Sequence, residues 1–443
     1  MKVLHVPFCF RPDRVGGTEV YVENLAHEQL ARGMQVVIAA PAADNAAYAM
    51  DGLEVRRFAT GPIDGLTALY GAGDPVASAT FGAILDDEQP DVVHLHAFTS
   101  AVSVRSVDEA RRRGLGVVFT YHTPTVSCQR GTLLLHGREV CDGELLVQRC
   151  AECALEGLGA GRLGSQVLSR LPTVVGAACA DFALGGFRLW TGVQYTHLVK
   201  TRHAAVRVML ARVQRVVVLC EWSRQLLVRN GVAAEKIVTC RHGLTFEDRP
   251  QLAATRRSSS LRVAFFGRLH PTKGADVLIR AVRQLVDVEL ELHVFGVEQP
   301  GDERYARRIR QLAGDDGRIV FEPAIPSEQV IPTLREFDLL GVPSQWLETG
   351  PLVVLEAFAA RTPVIGSNLG GIAELVRDGV DGLLVQPGSV ADWASALRRL
   401  AEDPALRERL RLNVRPPRDM RAVSEDMLSL YNDIASRSAV AAA

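Results

Sequence analysis

The sequence predicts an α/β protein made of two Rossmann-like βαβ domains that face each other across a cleft. Buried-looking strand segments alternate with helical segments along most of the chain, which is the pattern of parallel sheets with crossover helices. The pattern stops in a polar stretch rich in Ser and Arg at 242–260 and then restarts. The length of 443 residues also exceeds what one ordinary hydrophobic core accommodates.

The first half of the chain begins with strand, loop, helix and strand. KVLHVPF predicts a buried strand, TEVYVENLAHEQLAR predicts a helix that stops at Gly33, and QVVIAAP predicts the next strand. The segments DVVHLHA, GVVFTYHT and RVVVLCEWS continue the sheet. We therefore assign residues 1–241 to an N-terminal Rossmann-like domain and 242–260 to a linker.

The second half repeats the alternation. LRVAFFG, ELELHVFG, RIVFEPA, DLLGVPS, TPVIGS and GLLVQPG predict strands separated by helices, and they define a second domain at 261–415. Prolines at 416 and 417 interrupt the preceding helix, and a last helix is expected within 416–443, packing back toward the N-terminal domain and frayed at its end. Ligands of such sheets bind at the carboxyl ends of the strands.

Composition excludes several classes of protein. The chain is 47% hydrophobic and 23% charged with a net charge of −1, which is typical of a soluble globular protein and argues against a nucleic-acid partner. The N-terminal segment lacks a small-residue cleavage site, and the longest apolar run, 171–187, is shorter than the roughly 20 residues that span a bilayer. We expect a cytoplasmic protein whose eight cysteines are reduced or bind metal.

The stretch QWLETGPLVVLEAFAA places two carboxylates around a predicted helix start. Glu348 lies in the loop before the helix, and Glu356 lies more than one turn inside it. Gly350 is expected as the N-cap residue and Pro351 at the first helical position, where a missing N–H costs nothing. The alternative interpretation is a surface acid and a helix-face acid that happen to be eight residues apart.

This helix start predicts an anion site. The amide groups of Leu352 and Val353 are expected to lack helical partners and to face the ligand, because the first turn of a helix leaves its N–H groups unbonded. The segment FFGRLHPTKGADVLI adds Arg268 and Lys273, with Gly267 before them, at the same expected edge of the sheet. Arg and Lys there can hold a diphosphate, although loops also carry such residues for solubility.

These motifs resemble those of retaining GT-B glycosyltransferases, specifically glycosyltransferase family four. GRLHPTKG and ETGPLVVLEAFAARTPVIGSNLGGIAELVRDGVDGLLVQPG are similar to the donor-binding half of that family, and RVGGTEVYVENLAHEQLARG is similar to its first loop and helix. The resemblance covers residues 1 to about 415. It implies a GT-B architecture in which residues 1–241 form the acceptor side and residues 261–415 bind a nucleotide sugar.

The resemblance also implies roles for matching residues. Glu348 would contact hydroxyls of the donor sugar, and Glu356 would hold the ribose of the nucleotide. Arg268 and Lys273 would neutralise the departing diphosphate. His122, in TYHTP, matches the family's histidine near the donor sugar. The loop at Gly16 and Gly17 would approach that diphosphate from the other domain. The remaining donor-binding candidates are Gly267, Gly350, Leu352 and Val353, which the helix start and its neighbouring loop indicate.

One departure from the family concerns Pro351, since the family more often has Gly at that position. Here the glycine stands at Gly350 and position 351 has no N–H. We expect the amides of Leu352 and Val353 to replace it.

The chemistry that the resemblance implies is transfer of a sugar with retention of anomeric configuration. UDP-sugar is the favoured donor, and the acceptor is a glycan, a lipid-linked sugar or a small molecule, as in polysaccharide biosynthesis. No Asp-x-Asp motif occurs in the sequence, so Arg268, Lys273 and the helix start are expected to stabilise the leaving group without a metal. The alternatives are a nucleotide-sugar epimerase, a phosphorylase, or a protein that binds nucleotide sugars without turnover.

Half of the cysteines fall in one insert, about 125–160. Cys128, Cys141, Cys150 and Cys153 lie within 26 residues and end in a CxxC motif. Such a density predicts a structural zinc site with four thiolate ligands, although the first pair has no CxxC spacing and free thiols are the alternative. The insert directly follows His122 and is expected to line the acceptor pocket.

Two further features are open to more than one interpretation. Residues 157–220 contain eight Lys or Arg and one acid, which indicates either a solvated helical face or peripheral contact with an anionic membrane, at the inner face of the membrane for a cytoplasmic protein. His94 and His96 alternate on one predicted strand. We interpret them as strand-end histidines that line the cleft, with metal ligation as the alternative.

Overall fold

The computed structural model describes residues 1–13, 16–62, 65–180, 188–245 and 260–442, and it describes no side chains at 180, 188–190 and 437–442. The chain divides into two compact units, residues 1–241 with 420–443, and residues 242–419. Most of the predicted linker, 246–259, and the side chains of the predicted frayed end lie outside the described residues.

The first unit is built on a mostly parallel sheet. Its described strands form one sheet of eight in the order β10-β9-β6-β5-β1-β2-β4-β3, and the β3–β4 pair at one edge is antiparallel. A separate antiparallel pair, β7–β8, lies in the cysteine-rich insert. The strands are β1 (Lys2–Val6), β2 (Gln35–Ala42), β3 (Ala46–Met50), β4 (Leu53–Ala59), β5 (Val92–Leu95), β6 (Gly116–Tyr121), β7 (Leu134–Leu135), β8 (Glu139–Val140), β9 (Arg215–Val218) and β10 (Ile237–Thr239).

Helices connect these strands, as expected for a parallel sheet. The helix predicted after the first strand ends just before Gly33, whose φ of +74° lies in the left-handed region that favours glycine. The described helices of this part of the chain are α1 (Gly17–Ala31), α2 (Gly65–Tyr70), α3 (Pro75–Glu88), α4 (Val104–Arg112), α5 (Val147–Gly157), α6 (Gly161–Ser169), α7 (Thr173–Ala180), α8 (Arg188–Arg212) and α9 (Glu221–Arg229).

The second unit has a fully parallel sheet in the order β13-β12-β11-β14-β15-β16. All six strands predicted from the sequence are present, and they are β11 (Leu261–Arg268), β12 (Leu290–Val297), β13 (Ile319–Glu322), β14 (Leu339–Val342), β15 (Val364–Ser367) and β16 (Gly382–Val385). The helices are α10 (Ala275–Gln284), α11 (Glu303–Ala313), α12 (Ser327–Leu334), α13 (Leu352–Ala359), α14 (Gly370–Leu375), α15 (Val390–Glu402) and α16 (Pro404–Asn413).

Both sheets are buried between layers of helices, which explains why their strands are nearly continuous runs of Val, Leu and Ile. The largest core cluster of the second unit packs helices α10, α11 and α15 against the sheet around Trp393, which is fully buried. The Rossmann-like α/β architecture predicted from the alternation is therefore confirmed for each unit.

The last helix, expected within 416–443, is α17 (Met420–Ala442). It begins four residues after Pro416 and belongs to the first unit. It packs against α1, β5 and β6, where Tyr431 and Ile434 are buried. No helix in the part of the chain that the structure describes is both long and apolar enough to cross a membrane.

Candidate active site

The candidate site of the second unit lies where β11, β14 and β15 end. These three strands are neighbours in the sheet and run parallel, so the loops that follow them meet at one edge. The loop after β11 carries Lys273, the loop after β14 carries Glu348, and the loop after β15 leads into α14. Residues that are 75 positions apart in the sequence therefore come into contact.

Lys273 and Glu348 form an ion pair at the centre of this edge. The Nζ atom of Lys273 lies 2.6 Å from Oε1 of Glu348, and the Ser344 hydroxyl donates a hydrogen bond of 2.8 Å to the same oxygen. The Lys273 Nζ also lies 5.5 Å from the centre of the Trp346 ring. Glu348 is 8% exposed. Burial opposes ionisation, but the nearby ammonium and the hydrogen bonds outweigh it and lower the pKa of Glu348.

The two loops that carry this pair are held together by their backbones. Gln345 N–H donates to the Thr272 carbonyl at 2.7 Å. Gly274 has a φ of +71°, and a Cβ atom there would lie 1.9 Å from the carbonyl oxygen of Pro343. Only glycine allows this approach. The glycine that ends the predicted Arg–Lys loop thus determines how closely Lys273 approaches the opposite loop.

The first turn of α14, which follows β15, fixes the backbone of Glu348. Gly371 N–H donates a 2.7 Å hydrogen bond to the Glu348 carbonyl, and a Cβ atom on Gly371 would lie 2.8 Å from that oxygen. Sequence reasoning did not identify Gly371 or Ser344 as site residues. The Gly-Gly pair in SNLGGIAE was the available signal, since paired glycines after a strand indicate close backbone approach.

The helix start differs by one position from the prediction. Helix α13 begins at Leu352, and Pro351, not Gly350, is the N-cap residue, with φ −67° and ψ 108°. The prediction of Gly350 as N-cap was wrong because Pro351 keeps the extended ψ of a residue that precedes a helix. Gly350 instead lies against the His242 ring, where a Cβ atom would be 2.4 Å from the imidazole.

The first turn of α13 still supplies amide donors. Among the described residues, the N–H groups of Leu352 and Val353 have no hydrogen-bond acceptor, whereas Val354 N–H donates to Pro351. Helix starts of this kind stabilise an anion by about 0.3–1 kcal/mol, and by up to about 2 kcal/mol when partly buried. The two amides named from the sequence are thus available to a phosphate.

Glu356 lies on the next turn of α13 and differs from Glu348 in having no cation beside it. No described residue forms an ion pair or hydrogen bond with its carboxyl group. Burial alone raises the pKa of Glu356 to about 7. The carboxyl group is therefore partly protonated at neutral pH. A hydrogen-bond donor that binds to it would favour the ionised form and lower its pKa.

Arg268, the last residue of β11, is paired with a residue that the sequence did not indicate. Its guanidinium holds Asp302 through two contacts, from Nε to Oδ2 and from Nη2 to Oδ1, the second at 3.0 Å. This hydrogen bonding lowers the pKa of Asp302, which is buried before α11. Gly267 precedes Arg268 with a φ of +158°. Asp302 is 34 residues away, and no local pattern connects the two positions.

In the first unit, Gly16 and Gly17 lie at the start of α1. Gly16 N–H donates to the Glu19 carboxylate at 2.9 Å, which caps the helix. His122 directly follows β6 and is 5% exposed. Its Nε2 atom lies 3.0 Å from Nδ1 of His96.

The four cysteines of the insert line one cavity of about 30 Å³. Backbone amides donate to two of them, His136 N–H to Cys153 and Gly143 N–H to Cys141. Within the described residues, however, the one group of three candidate ligand atoms all within 4.8 Å of one another is formed by His5, His94 and His96. The thiols therefore surround a common space without the spacing of a tetrahedral zinc site, and zinc binding stays a prediction.

Comparisons with known proteins agree with this architecture. The model of the family "Glycosyl transferase 4-like domain" matches residues 16–243, and that of "Glycosyl transferases group 1" matches residues 252–415. Anabaena Alr3699/HepE in complex with UDP and glucose has a similar fold, with a TM-score of 0.65 and 17% identity over 98% of this chain and all of that one. Sucrose-phosphate synthase from Thermosynechococcus elongatus gives a TM-score of 0.65 and 18% identity over 99% of this chain and all of that one.

Two curated relatives carry the name D-inositol 3-phosphate glycosyltransferase. The protein from Nocardioides sp. is 29% identical over 89% of this chain and 80% of its own length. The protein from Nocardia farcinica is 36% identical over 48% of this chain, and the matched region spans 49% of that relative's length.

The fold and the family models together define the class, an α/β glycosyltransferase of GT-B architecture. Within that class, the chain belongs to the glycosyltransferases of the family-four type, with both of its halves represented.

Proposed function

We propose that the protein is a retaining glycosyltransferase that transfers a hexosyl group from a nucleotide diphosphate sugar, with UDP-sugar favoured, and that its catalysis needs no metal ion. The observation that carries the proposal is the Lys273–Glu348 ion pair beside the open first turn of α13. It combines a fixed cation and amide donors with a buried carboxylate, which are the groups that a leaving diphosphate and a sugar require.

The cationic groups stabilise the leaving diphosphate. Breaking a sugar–phosphate bond leaves extra negative charge on the phosphate oxygens. The Lys273 ammonium, the Arg268 guanidinium and the amides of Leu352 and Val353 are donors held at one edge of the sheet before the reaction starts. Preorganised donors of this kind cost no reorganisation in the transition state, and removal of one such side-chain donor typically lowers kcat about 10²–10³-fold.

The two acids bind neutral hydroxyl groups. Glu348 is ionised and is held by Lys273, Ser344 and Trp346, so we assign its carboxylate to binding donor-sugar hydroxyls and not to nucleophilic attack. Glu356 has no partner among the described residues, and ribose hydroxyls supply the donors it lacks. Because neither acid is assigned a covalent role, the departing phosphate oxygen takes the acceptor proton on the same face, which retains the anomeric configuration.

The acceptor is a glycan, a lipid-linked sugar or a small molecule. The names of the relatives make a phosphorylated inositol the first small acceptor to test. The test incubates the full chain with UDP-glucose, UDP-N-acetylglucosamine or GDP-mannose, with inositol 3-phosphate or a panel of glycans, in EDTA. We expect transfer that persists in EDTA and a product with the anomeric configuration of the donor. An inverted product, or activity that EDTA abolishes, would contradict the mechanism.

The same assay separates the alternatives. An epimerase yields a new sugar nucleotide when no acceptor is present, and a phosphorylase requires inorganic phosphate. A binding protein shows nucleotide-dependent melting shifts without any product. Each of these results would replace the transferase proposal.

A second feature supports contact with an anionic membrane surface. Helices α6 and α7 expose the apolar side chains of Leu163, Val167 and Val174, which are 64–79% accessible. Arg162 and Arg170 are exposed beside them, and residues 157–180 contain no Asp or Glu. Exposed apolar residues flanked by cations and free of acids are typical of interfacial helices, and each basic residue contributes about 1 kcal/mol near an anionic bilayer.

We therefore propose that α6 and α7 hold the enzyme peripherally at the inner face of the membrane, near a lipid-linked acceptor. The test is flotation with vesicles of phosphatidylcholine alone or with phosphatidylglycerol. Leu163→Ser with Val167→Ser should abolish binding to the anionic vesicles. The matched control is Leu412→Ser, an exposed leucine of α16 in the second unit. Equal flotation with both vesicle types would contradict the proposal.

A further inference from the structure

Three neighbouring strands of the first unit carry polar side chains on one face near their carboxyl ends. The register pairs His5 of β1 with His94 of β5, His96 follows two residues later, and Thr120 lies in β6 two residues before His122. Alternation along a strand places all five on the same side of the sheet. The four histidines are 0–5% exposed. Elsewhere this face is apolar and packs against α1 and α17.

Three of these histidines and one amide form a continuous hydrogen-bonded chain. His122 Nε2 lies 3.0 Å from His96 Nδ1, and His96 Nε2 lies 2.9 Å from His5 Nδ1. His5 Nε2 lies 2.7 Å from the side-chain oxygen of Gln29 on α1. The chain thus runs from the interior of the unit to the residue that the family resemblance places near the donor sugar.

His94 is outside this chain. Its Nδ1 atom contacts the hydroxyl of Tyr431 and its Nε2 atom contacts the hydroxyl of Thr120, both at 2.6 Å. Every ring nitrogen of His5, His94 and His96 therefore has a hydrogen-bond partner. The three rings are close enough to suggest a metal site, but a metal would have to replace these partners. The geometry favours a hydrogen-bonded network over a metal centre.

The positions of the protons along the hydrogen-bonded chain follow from the chemistry of its Gln29 end. Burial lowers the pKa of His5 to about 4 and the pKa of His96 well below its usual range, so both rings are neutral at physiological pH. A neutral imidazole has one N–H and one lone pair. The Gln29 oxygen can only accept, so His5 donates from Nε2 and accepts at Nδ1. His96 then donates from Nε2 and accepts at Nδ1, and the N–H that it accepts belongs to His122 Nε2.

We propose that the Gln29 amide fixes the tautomer of His122 through His5 and His96. In this arrangement His122 carries its proton on Nε2, and its Nδ1 atom carries a lone pair and no proton. Gln29, His5 and His96 are positioning residues, since they act through His122. The functional part of the inference rests on the proposed transferase activity. A ring nitrogen with a lone pair accepts a hydrogen bond from a sugar hydroxyl, and it supplies no proton to the leaving group.

The orientation of the Gln29 side-chain amide determines which ring nitrogen bears the proton in each histidine of the chain. The Gln29 Nε2 atom is buried and makes no hydrogen bond of good geometry among the described residues, although the Gln29 side chain interacts with the Tyr431 hydroxyl and counteracts the rise that burial causes in the pKa of Tyr431. A rotated amide would donate to His5 and reverse each proton, so that His122 would carry N–H on Nδ1. The two arrangements differ in a measurable property, the nitrogen of His122 that bears the proton.

The test is ¹⁵N NMR of the full chain labelled at histidine, with the His122 signals assigned by their loss in His122→Gln. We expect a neutral His122 ring protonated at Nε2 at pH 7.5. Gln29→Met keeps the side-chain volume and removes the acceptor, and it should give a mixture of both His122 tautomers. The matched control, Thr120→Val, removes a buried hydroxyl from the same sheet face outside the chain and should leave the His122 tautomer unchanged.

Three results would overturn the inference: protonation of His122 at Nδ1, a charged His122 ring at pH 7.5, or a tautomer unaffected by Gln29→Met. In the transfer assay, Gln29→Met should lower kcat/KM for the donor roughly 3- to 10-fold, the factor that corresponds to one neutral hydrogen bond. Thr120→Val should retain kcat/KM. NMR needs no substrate, so a failure to find any transfer would contradict the proposed function without affecting the tautomer measurement.

Discussion

The carboxyl edges of the two sheets both bury polar groups, but they do so in opposite ways. The edge of the first unit holds a chain of histidines, in which burial disfavours the charged forms of His5 and His96. The edge of the second unit holds charged groups, the Lys273–Glu348 and Arg268–Asp302 pairs. The same strand topology therefore supports two different kinds of electrostatic environment.

The difference follows from what each edge can offer a buried ion. An unpaired buried charge costs several kcal/mol, so a buried group is either neutral or paired. His5 and His96 have neutral partners, such as Gln29, and burial keeps both rings neutral. Glu348 has an ammonium 2.6 Å away and stays ionised. Glu356 is the intermediate case, since burial without a cation raises its pKa to about 7. The comparison predicts that removal of a charged side chain lowers activity and stability most at the carboxyl edge of the second unit's sheet.

The largest effect is expected for Lys273→Ala. It removes a donor to the leaving diphosphate and leaves Glu348 buried without its cation, so kcat should fall about 10²–10³-fold. Stability should fall by about 1–3 kcal/mol, less than for a fully buried pair because 30% of the Lys273 side chain is exposed. Steady-state kinetics and urea unfolding measure the two effects.

The double variant Lys273→Met with Glu348→Gln separates the two contributions. It removes both charges at nearly constant volume, so it should recover most of the lost stability and none of the lost kcat. If the double variant regained activity, the pair would be structural and the charged edge would have no catalytic role.

Much of this charged edge could be predicted from the sequence. Arg268, Lys273, Glu348 and Glu356 were identified because each lies just after a predicted strand or at a predicted helix start. The strands and crossover helices were predicted because the alternation of strand and helix signals is a local property, whereas the order of the strands within each sheet was not predicted. The antiparallel β3–β4 pair gave no such signal and was not predicted.

The contacts that hold these residues depend on positions far apart in the sequence, which is why they could not be predicted. Asp302 is 34 residues from Arg268, and the chain from Gln29 to His122 joins four separate segments. His5 and Thr120 did leave a weak signal, a polar residue at a core-facing position of an otherwise apolar strand. The N-cap at Pro351 was missed because a single-residue shift depends on ψ, which propensity does not specify.

The next largest effect is a change of about tenfold in the affinity for UDP-glucose with pH. Ribose hydroxyls donate to the ionised form of Glu356, so protonation competes with donor binding. Because burial raises the pKa of Glu356 to about 7, affinity for UDP-glucose should rise about tenfold from pH 6 to pH 8 and level off above that pH. The UDP-glucose diphosphate itself does not titrate in this range. Calorimetry at several pH values measures the dissociation constant.

The matched control for the pH effect is Glu356→Gln, which should bind UDP-glucose more weakly and without pH dependence between pH 6 and 8. Persistence of the pH dependence in this variant would assign it to another group and would remove Glu356 from the donor site.

A metal site formed by cysteine thiolates would contradict the contrast between a first unit with neutral buried groups and a second unit with charged ones, because it would place buried charge in the first unit. Burial raises the pKa of Cys150 to about 11, so without a cation the thiol is neutral. If zinc binds, purified protein should contain about one equivalent, and Cys150→Ser should lose it with a melting temperature lower by roughly 5 °C. Elemental analysis and differential scanning calorimetry measure both quantities, with Cys240→Ser, a buried cysteine outside the insert, as the control.

The smallest effect is expected for Asp302→Asn. The Asp302 carboxylate neutralises Arg268, and an incoming diphosphate must share that guanidinium. Asparagine keeps an oxygen that accepts from Arg268 and removes the negative charge, so the KM for UDP-glucose should fall about two- to threefold with kcat nearly unchanged, an effect that added salt should reduce. A raised KM would instead mean that the full charge of Asp302 is needed to orient Arg268. The second edge would then depend on its ion pairs for geometry as well as for charge.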